Sequence, residues 1–376
     1  MIYLDNAATT RPDFDALLYA QKFNNEFFYN PSALYQGGID NSKEIKNAKN
    51  AILSALGVND RDFEVVFTSC GSESDNTAIF CAKKRGLFVT TKGEHSAVYK
   101  SFLELKQRGI TVEFIDLLTD GSVNVDKLVD YVKNNNVDFL SIVHVNNETG
   151  AINDVNYIAN IVKEINSKII IHVDGVQAFC KIPYLLSKNI DLYSISAHKI
   201  NGVKGVGALI KRKNLVISPL IYGGGQENGL RSGTENVFGI KVFEYVTNKH
   251  KNTLKEDYDY VKTLKDYSIL NLNKDLWTVI SSENSSPYIL SISARGLRGE
   301  IIMHALEEYG IIVGNGSACS SKSRFSRVIE ACGYKKDILD GVVRVSFSNQ
   351  TTQQDVVEAI NRLNEIANKL KGIISK

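Results

Sequence analysis

The sequence lacks several features that mark particular classes of protein. Its 376 residues carry a formal net charge of only +2, so it has no excess of basic residues for binding nucleic acid. No apolar run approaches the roughly 18 residues that a transmembrane helix needs. The N-terminus also lacks the basic and apolar segments of a signal peptide. We therefore expect neither nucleic acid nor membrane among the partners.

Cysteine is scarce as well. The five cysteines are widely spaced and form no CxxC pair, a pattern that fits neither a disulfide framework nor a zinc site. We expect reduced thiols, a cytoplasmic location and no metal. Cys319 stands apart, because it lies in the glycine- and serine-rich segment GNGSACSSKSRF (314–325), where small residues cannot bury a thiol. This setting makes Cys319 a candidate for a reactive cysteine.

Short apolar segments alternate with amphipathic ones between residues 63 and 211. This spacing predicts an α/β fold in which helices cover both faces of a mostly parallel sheet. The last apolar segment follows its predecessor without a clear helix, which suggests an antiparallel strand. The predicted strands are residues 64–68, 87–91, 111–115, 138–145, 168–174, 191–196 and 206–211.

The pattern changes after the glycine-rich residues 223–233. A long polar helix, at about residues 235–265, is predicted to link the large domain to a smaller α+β C-terminal domain. We assign residues 16–250 to the large domain. Residues 251–376 form the small domain with the Cys319 segment, and residues 1–15 are expected to pack with it.

Polar residues follow several of the predicted strands, where parallel sheets bind their ligands. Gly71 and Ser72 open a helix whose N–H groups suit an anion, although they could equally form an ordinary helix cap. His95 begins another helix, where it is either a catalytic group or a surface residue that caps the helix. Asn147 lies in a polar turn that could simply reverse the chain.

The next two strand ends carry charged groups. Asp174 ends a very apolar strand, where a carboxylate needs a cationic ligand or a basic side chain beside it. Lys199 follows the neighbouring strand and is either a surface lysine or one that bonds covalently to a carbonyl group. An anion cradle, a buried carboxylate and a lysine at one sheet edge are the parts that a pyridoxal 5'-phosphate (PLP) site needs.

Motifs along almost the whole chain resemble those of the class V aminotransferase family of PLP fold type I, the aspartate aminotransferase-like fold. They are most similar to the cysteine desulfurases of the NifS/IscS type. The matching motifs include YLDNAATT (3–10), FTSCGSESDN (67–76), HVDGVQAFCK (172–181), SAHKINGVKGVGAL (196–209), GGGQENGLRSGTEN (223–236) and GSACSS (316–321).

The resemblance implies a role for each matched residue. Lys199 would hold PLP covalently, Asp174 would pair with its ring nitrogen, and Gln177 would hydrogen-bond its ring oxygen. His95 would stack on the ring and transfer protons, and Cys319 would be the sulfur-accepting nucleophile. The other matched residues would bind the phosphate (Gly71, Ser72, Ser196, His198 and, from the second subunit of a homodimer, Thr234) or the substrate carboxylate (Arg344 and Asn147, which also borders the cofactor).

The implied reaction converts L-cysteine to L-alanine and leaves a persulfide on Cys319. The sulfur would pass to an acceptor protein, either an iron–sulfur scaffold or an enzyme of tRNA or cofactor thiolation. A selenocysteine lyase, a class V aminotransferase and an inactive scaffold on the same fold are the alternatives. The sequence departs from the family at four positions, with Cys70 in place of Gly, Ser72 in place of Thr, Gly175 in place of Ala and Tyr35 in place of His.

Overall fold

A computed structural model describes residues 1–314 and 325–374, so Cys319 lies outside the described residues. The strands are β1 (Ile2–Leu4), β2 (Phe63–Thr68), β3 (Leu87–Thr91), β4 (Thr111–Ile115), β5 (Val137–Val143), β6 (Ile170–Asp174), β7 (Leu192–Ser196), β8 (Gly207–Arg212), β9 (Trp277–Val279), β10 (Ile289–Ala294), β11 (Ile311–Val313) and β12 (Val342–Ser346). The helices are α1 (Phe14–Glu26), α2 (Gln36–Ala55), α3 (Gly71–Cys81), α4 (Ser96–Gln107), α5 (Val125–Asn134), α6 (Val155–Ile165), α7 (Val237–Asn271), α8 (Gly299–Glu307), α9 (Arg327–Ala331), α10 (Lys336–Leu339) and α11 (Gln353–Ile374).

The central sheet contains seven strands in the order β2-β8-β7-β6-β5-β3-β4. Its neighbouring strands are parallel except at β8, which runs antiparallel to both β2 and β7. Strands β5, β6 and β7 are almost entirely buried, as expected for a sheet covered on both faces. The predicted α/β fold and the antiparallel last strand are confirmed.

The covering helices follow from local sequence. Helix α6, for example, begins after Asp154, whose carboxylate accepts the Tyr157 N–H and so caps the first turn. Its apolar residues recur every three to four positions and therefore form one buried face against the sheet. These buried residues are Val155, Ile158, Ala159 and Val162.

The C-terminal part of the chain builds a second core. Strand β10 lies between β12 and β9 in an antiparallel sheet, and β1 from the N-terminus pairs with β11. Helix α7 joins the two cores, since Phe243 and Val246 pack in the first and Val261 and Leu264 in the second. None of the described helices has an apolar stretch long enough to cross a membrane.

Some elements were not predicted. Helices α1 and α2 precede the first predicted strand, and β1, β9 and β11 have only three residues each. Three residues are too few to show the alternation by which a strand is identified. Helix α7 also continues to Asn271, beyond the predicted end at residue 265.

Gly175 lies directly after β6 and leaves space for a large neighbour. A Cβ at this position would lie 2.1 Å from two ring atoms of Tyr193, much closer than carbon atoms can approach. Tyr193 is fully buried in β7, and its hydroxyl pairs with His144 Nδ1 at 3.0 Å. The glycine in place of the family's alanine is thus matched by a tyrosine that fills the vacated volume.

We predict that Gly175→Ala lowers the free energy of unfolding by about 1–3 kcal/mol, because the added methyl overpacks a rigid core. Urea unfolding followed by circular dichroism measures the effect. Adding Tyr193→Met, which supplies a flexible side chain, should recover most of the loss. A Gly175→Ala protein as stable as the original would show that Tyr193 moves aside at little cost.

Candidate active site

The carboxyl ends of the central strands open into a cavity of about 430 Å³. The residues that follow parallel strands all lie at the same edge of the sheet, which explains why side chains distant in sequence meet here. The cavity is lined by ten of the predicted site residues: Gly71, Ser72, His95, Asn147, Asp174, Gln177, Ser196, His198, Lys199 and Arg344.

Two predicted residues are not part of this group. Thr234 lies with Arg231 and Gly233 on a separate cavity of about 140 Å³. Cys319 falls outside the described residues, but the residues on either side of its segment contact side chains that line the main cavity, Gly314 against Arg344 and Ser326 against Glu148.

Asp174 ends β6 with only 3% of its surface exposed. Its carboxylate accepts the Val176 N–H at 3.0 Å. Burial raises the pKa of Asp174 to about 6, although the Val176 hydrogen bond and the charge of Lys199 oppose the increase. A carboxylate in this position is therefore stabilised further by any cationic group that enters the cavity.

Asp75 is a second buried carboxyl group in the cavity, and sequence reasoning missed it. It lies in the first turns of α3, and burial followed by repulsion from Asp174 raises its pKa well above the ordinary value. The ligand atoms of Asp75, Asp174 and His95 lie within 4.8 Å of one another. Two carboxyl groups this close in a buried site do not both ionise readily, and repulsion from Asp174 favours the protonated form of Asp75.

Lys199 follows β7 on a short 3-10 turn. Its Nζ donates to two main-chain carbonyls of the N-terminal segment, Ala7 O at 2.7 Å and Ala8 O at 2.6 Å. The Gln177 side chain donates to the same Ala7 carbonyl at 2.8 Å. The N-terminal segment thus holds the amine and the amide side by side at the cavity wall.

His95 caps α4, since its Nδ1 accepts the Ala97 N–H at 3.2 Å. Burial, with the charges of Lys199, Arg327 and Arg344, lowers the pKa of His95 to about 4. The imidazole is therefore neutral near pH 7, with its proton on Nε2, the nitrogen that does not cap the helix.

The start of α3 forms another part of the cavity wall. Cys70 precedes this helix with an extended backbone (φ −173°), a conformation open to any residue, so the cysteine in place of the family's glycine does not strain the turn. The Cys70 side chain makes no capping hydrogen bond to this helix, and in the part of the chain that the structure describes its first N–H groups are not capped by that residue and suit an anion. Nearby, the buried hydroxyl of Ser196 has no hydrogen-bond partner among the described residues.

Arg344 lies in β12 and reaches the loop that follows β5. Its guanidinium donates to Asn147 O at 2.7 Å and to Asp5 at 2.8 Å, while its buried Nε has no hydrogen-bond partner within the described part of the chain. Gly314 packs against this group, because a Cβ there would lie 2.9 Å from Arg344 Nη2. A rigid, charged donor with one unused N–H suits a small carboxylate ligand.

Residues after the Cys319 segment dock on the loops that follow β3 and β5, and sequence reasoning missed these contacts too. Arg327 donates to the main-chain carbonyls of Lys92 and Glu94 and lies 3.7 Å above the ring centroid of Tyr99. Ser326 bonds to the Glu148 carboxylate. Both contacts fix the end of the segment to the loops that carry His95 and Asn147.

Comparison with known proteins identifies the family. A sequence model described as aminotransferase class-V matches residues 2–358. A cysteine desulfurase of Nostoc sp. is 34% identical, with 99% of this chain and 94% of that protein aligned. The cysteine desulfurase IscS of Dictyoglomus turgidum is 34% identical, with 99% and 96% aligned.

Solved structures agree. A NifS-like protein superimposes with a TM-score of 0.91 at 33% identity, covering 98% of this chain and 99% of its own. A NifS-like protein from Rickettsia africae gives a TM-score of 0.89 at 28% identity, covering 98% and 99%. The similarity therefore extends over both cores.

The chain belongs to the class V aminotransferase family, with the PLP fold type I, and it is a PLP-dependent enzyme. Within that family it is a cysteine desulfurase of the NifS/IscS group. The resemblance drawn from the motifs is confirmed.

The residues of the cavity fit PLP. A buried carboxylate with a raised pKa suits a cationic ring nitrogen, and an uncapped helix start beside the unpaired Ser196 hydroxyl suits a phosphate. The Lys199 amine lines the same cavity. The carboxylate and the helix start would thus hold different parts of one PLP molecule, the ring nitrogen and the phosphate.

We predict that PLP binds more weakly as the pH falls below about 6. Asp174 is then protonated in the cofactor-free protein, and it must lose that proton to pair with the ring nitrogen. The affinity for PLP is measured by fluorescence titration between pH 5 and 8. Below about pH 6 it should fall by about tenfold per pH unit more than in Asp174→Asn, whose amide has no proton to lose. Parallel curves for the two proteins would contradict the pairing.

Proposed function

We propose that this protein removes sulfur from L-cysteine, releases L-alanine and carries the sulfur as a persulfide on Cys319. The observation that carries this proposal is one cavity lined by ten residues of the expected site, with the residues on either side of the Cys319 segment in contact with its lining side chains. Membership of the cysteine desulfurases supports the same reaction.

The chain's own residues would hold PLP as follows. Lys199 attaches to it, Asp174 faces its ring nitrogen, and Gln177 donates to its ring oxygen. Gly71, Ser72, Ser196 and His198 hold the phosphate with the N-terminus of α3. When bound, PLP withdraws electrons from the substrate α-carbon.

Arg344 and Asn147 would position the substrate. The unused Arg344 Nε donates to the substrate carboxylate, and the Asp5 contact keeps the guanidinium oriented. His95 exchanges protons with the substrate through Nε2, since Nδ1 is occupied by the cap of α4.

Cys319 lies five positions after Gly314, a length of chain that spans at most about 18 Å when extended. A thiol within that distance of Gly314 can reach a substrate that is bound at Arg344, because Gly314 packs against the same guanidinium. The cationic Lys199 and Arg344 favour the thiolate form that attacks.

The sulfur step balances without a further reactant. The Cys319 thiolate attacks the sulfur of the bound cysteine, so that an S–S bond forms and the substrate Cβ–S bond breaks. The bonding electron pair stays with the carbon skeleton, which becomes alanine after protonation. The substrate carbon is reduced, and the enzyme thiol is oxidised to a persulfide.

The described cysteines are poorer candidates for this step. Burial raises the pKa of Cys81 to about 11 and that of Cys332 to about 12, and it raises the pKa of Cys180 further. Buried thiols of this kind supply little thiolate. Cys70 lines the cavity and therefore serves as the direct experimental comparison for Cys319.

The enzyme acts with a sulfur-acceptor protein, and we propose an iron–sulfur scaffold or a thiolation enzyme in that role. We also propose a homodimer in which Thr234 of one subunit completes the phosphate site of the other. Two observations support this dimer. Thr234 lies outside the main cavity of its own subunit, and the apolar side chains of Leu34 and Tyr222 are exposed. The domain division near residue 250 and the cytoplasmic location remain predictions.

Cys319→Ala should lower alanine formation from cysteine by about 1,000-fold or more, the scale expected when a covalent nucleophile is removed. Turnover is followed by quantifying alanine, and bound PLP is checked by its visible absorption. The control Cys70→Ser removes the other thiol of the site and should retain nearly full activity. Full turnover in Cys319→Ala would show that Cys319 is not the nucleophile. Loss of turnover in Cys70→Ser alone would show the same.

Lys199→Ala should abolish the visible absorption of the purified protein, because no other residue is proposed to bond covalently to PLP. The control is Lys204→Ala, which removes an exposed lysine five positions further along. It should stay yellow. A colourless original protein that takes up no added PLP would refute the site as a whole.

A further inference from the structure

Lys181 is a buried lysine for which the reaction provides no role. Only 5% of its surface is exposed, and among the described residues it forms no ion pair with a carboxylate. Its Nζ donates to Gln177 Oε1 at 3.0 Å and lies 5.7 Å from the ring centroid of Tyr288. Burying an amine without a counter-ion is costly, so the position calls for a function.

The hydrogen bond from Lys181 determines which way the Gln177 amide faces. A lysine Nζ approaches Gln177 as a donor, so the amide oxygen lies on the Lys181 side. The amide NH2 then lies on the other side, where it donates to Ala7 O, the carbonyl that also accepts from Lys199. One N–H of this group is used by Ala7, and the second remains for a ligand in the cavity.

We propose that Lys181 is a positioning residue for the cofactor: it holds the Gln177 amide with its NH2 group toward the ring oxygen of bound PLP and polarises that donor. This inference rests on the proposed site. The amide could otherwise rotate by half a turn and present its oxygen, which would repel the oxygen of the cofactor. A charge-assisted hydrogen bond at Oε1 prevents the rotation.

The surroundings of Lys181 add an electrostatic effect in the same direction. Burial, with the charges of Lys199 and Arg344, lowers the pKa of Lys181 to about 7, and Lys181 in turn helps to lower the pKa of His198. In its charged form, Lys181 disfavours a proton on the nitrogen that joins Lys199 to bound PLP. A stronger donor at the ring oxygen would also withdraw electron density from that nitrogen through the conjugated ring and so lower its basicity.

The test is a pH titration of the visible absorption of PLP-loaded Lys181→Met without substrate. The apparent pKa of the bound chromophore should rise by about one unit, the effect of removing one nearby charge and its hydrogen bond. Lys181→Arg keeps both and should stay near the original value. Lys265→Met removes another buried lysine, bonded to Ser285 and Ser286, and should cause no shift.

A double-mutant cycle with Gln177→Leu separates the two routes. If Lys181 acts through Gln177, Lys181→Met should add less than half of its own shift in the Gln177→Leu protein. If Lys181→Met does not fold, Lys181→Gln, which keeps N–H donors without the charge, should still raise the pKa. An unchanged pKa in either folded variant, or fully additive shifts, overturns the inference. Absence of visible absorption in the original protein would instead overturn the proposed site.

Discussion

The carboxylate of Asp174 is held inside the protein at the end of a strand whose two faces are covered. Its main-chain neighbour Val176 supplies one hydrogen bond, and Lys199 supplies the nearest charge that lowers its pKa. A buried anion with so little compensation is stabilised when a cation occupies the cavity. Burial favours the neutral forms of His95 and Asp75, so neither adds a competing charge, which supports the proposed pairing of Asp174 with the ring nitrogen of PLP.

The part of the site that could be predicted lies at strand ends. Asp174 and Lys199 are conspicuous because a charged residue follows an apolar segment directly, and topology then brings such positions together. Asp75, Arg327 and Lys181 gave no comparable signal. Asp75 lies within the first turns of a helix, Arg327 opens a five-residue helix, and Lys181 follows a turn, so only tertiary packing reveals that they border the site.

The fold, like the site, has parts that can be predicted from the sequence and parts that cannot. The seven strands of the central sheet were predictable since buried parallel strands are continuous apolar runs. The pairing of β1 with β11 was not, because it joins segments some 300 residues apart through three residues each. The pairing of Gly175 with Tyr193 is another example, in which a small residue beside the cofactor site depends on the volume of a residue in the next strand. Such compensation is a property of packing and is invisible in either residue alone.

The central claim is that sulfur moves from substrate to Cys319. The direct measurement is to incubate the PLP-loaded enzyme briefly with ³⁴S-labelled cysteine, block free thiols, and map modified peptides by mass spectrometry. The account predicts one labelled sulfur atom added to the peptide that contains Cys319, with alanine formed in equal amount in the first turnover. Label on the Cys70 peptide, or alanine formed while Cys319 stays unlabelled, would contradict it.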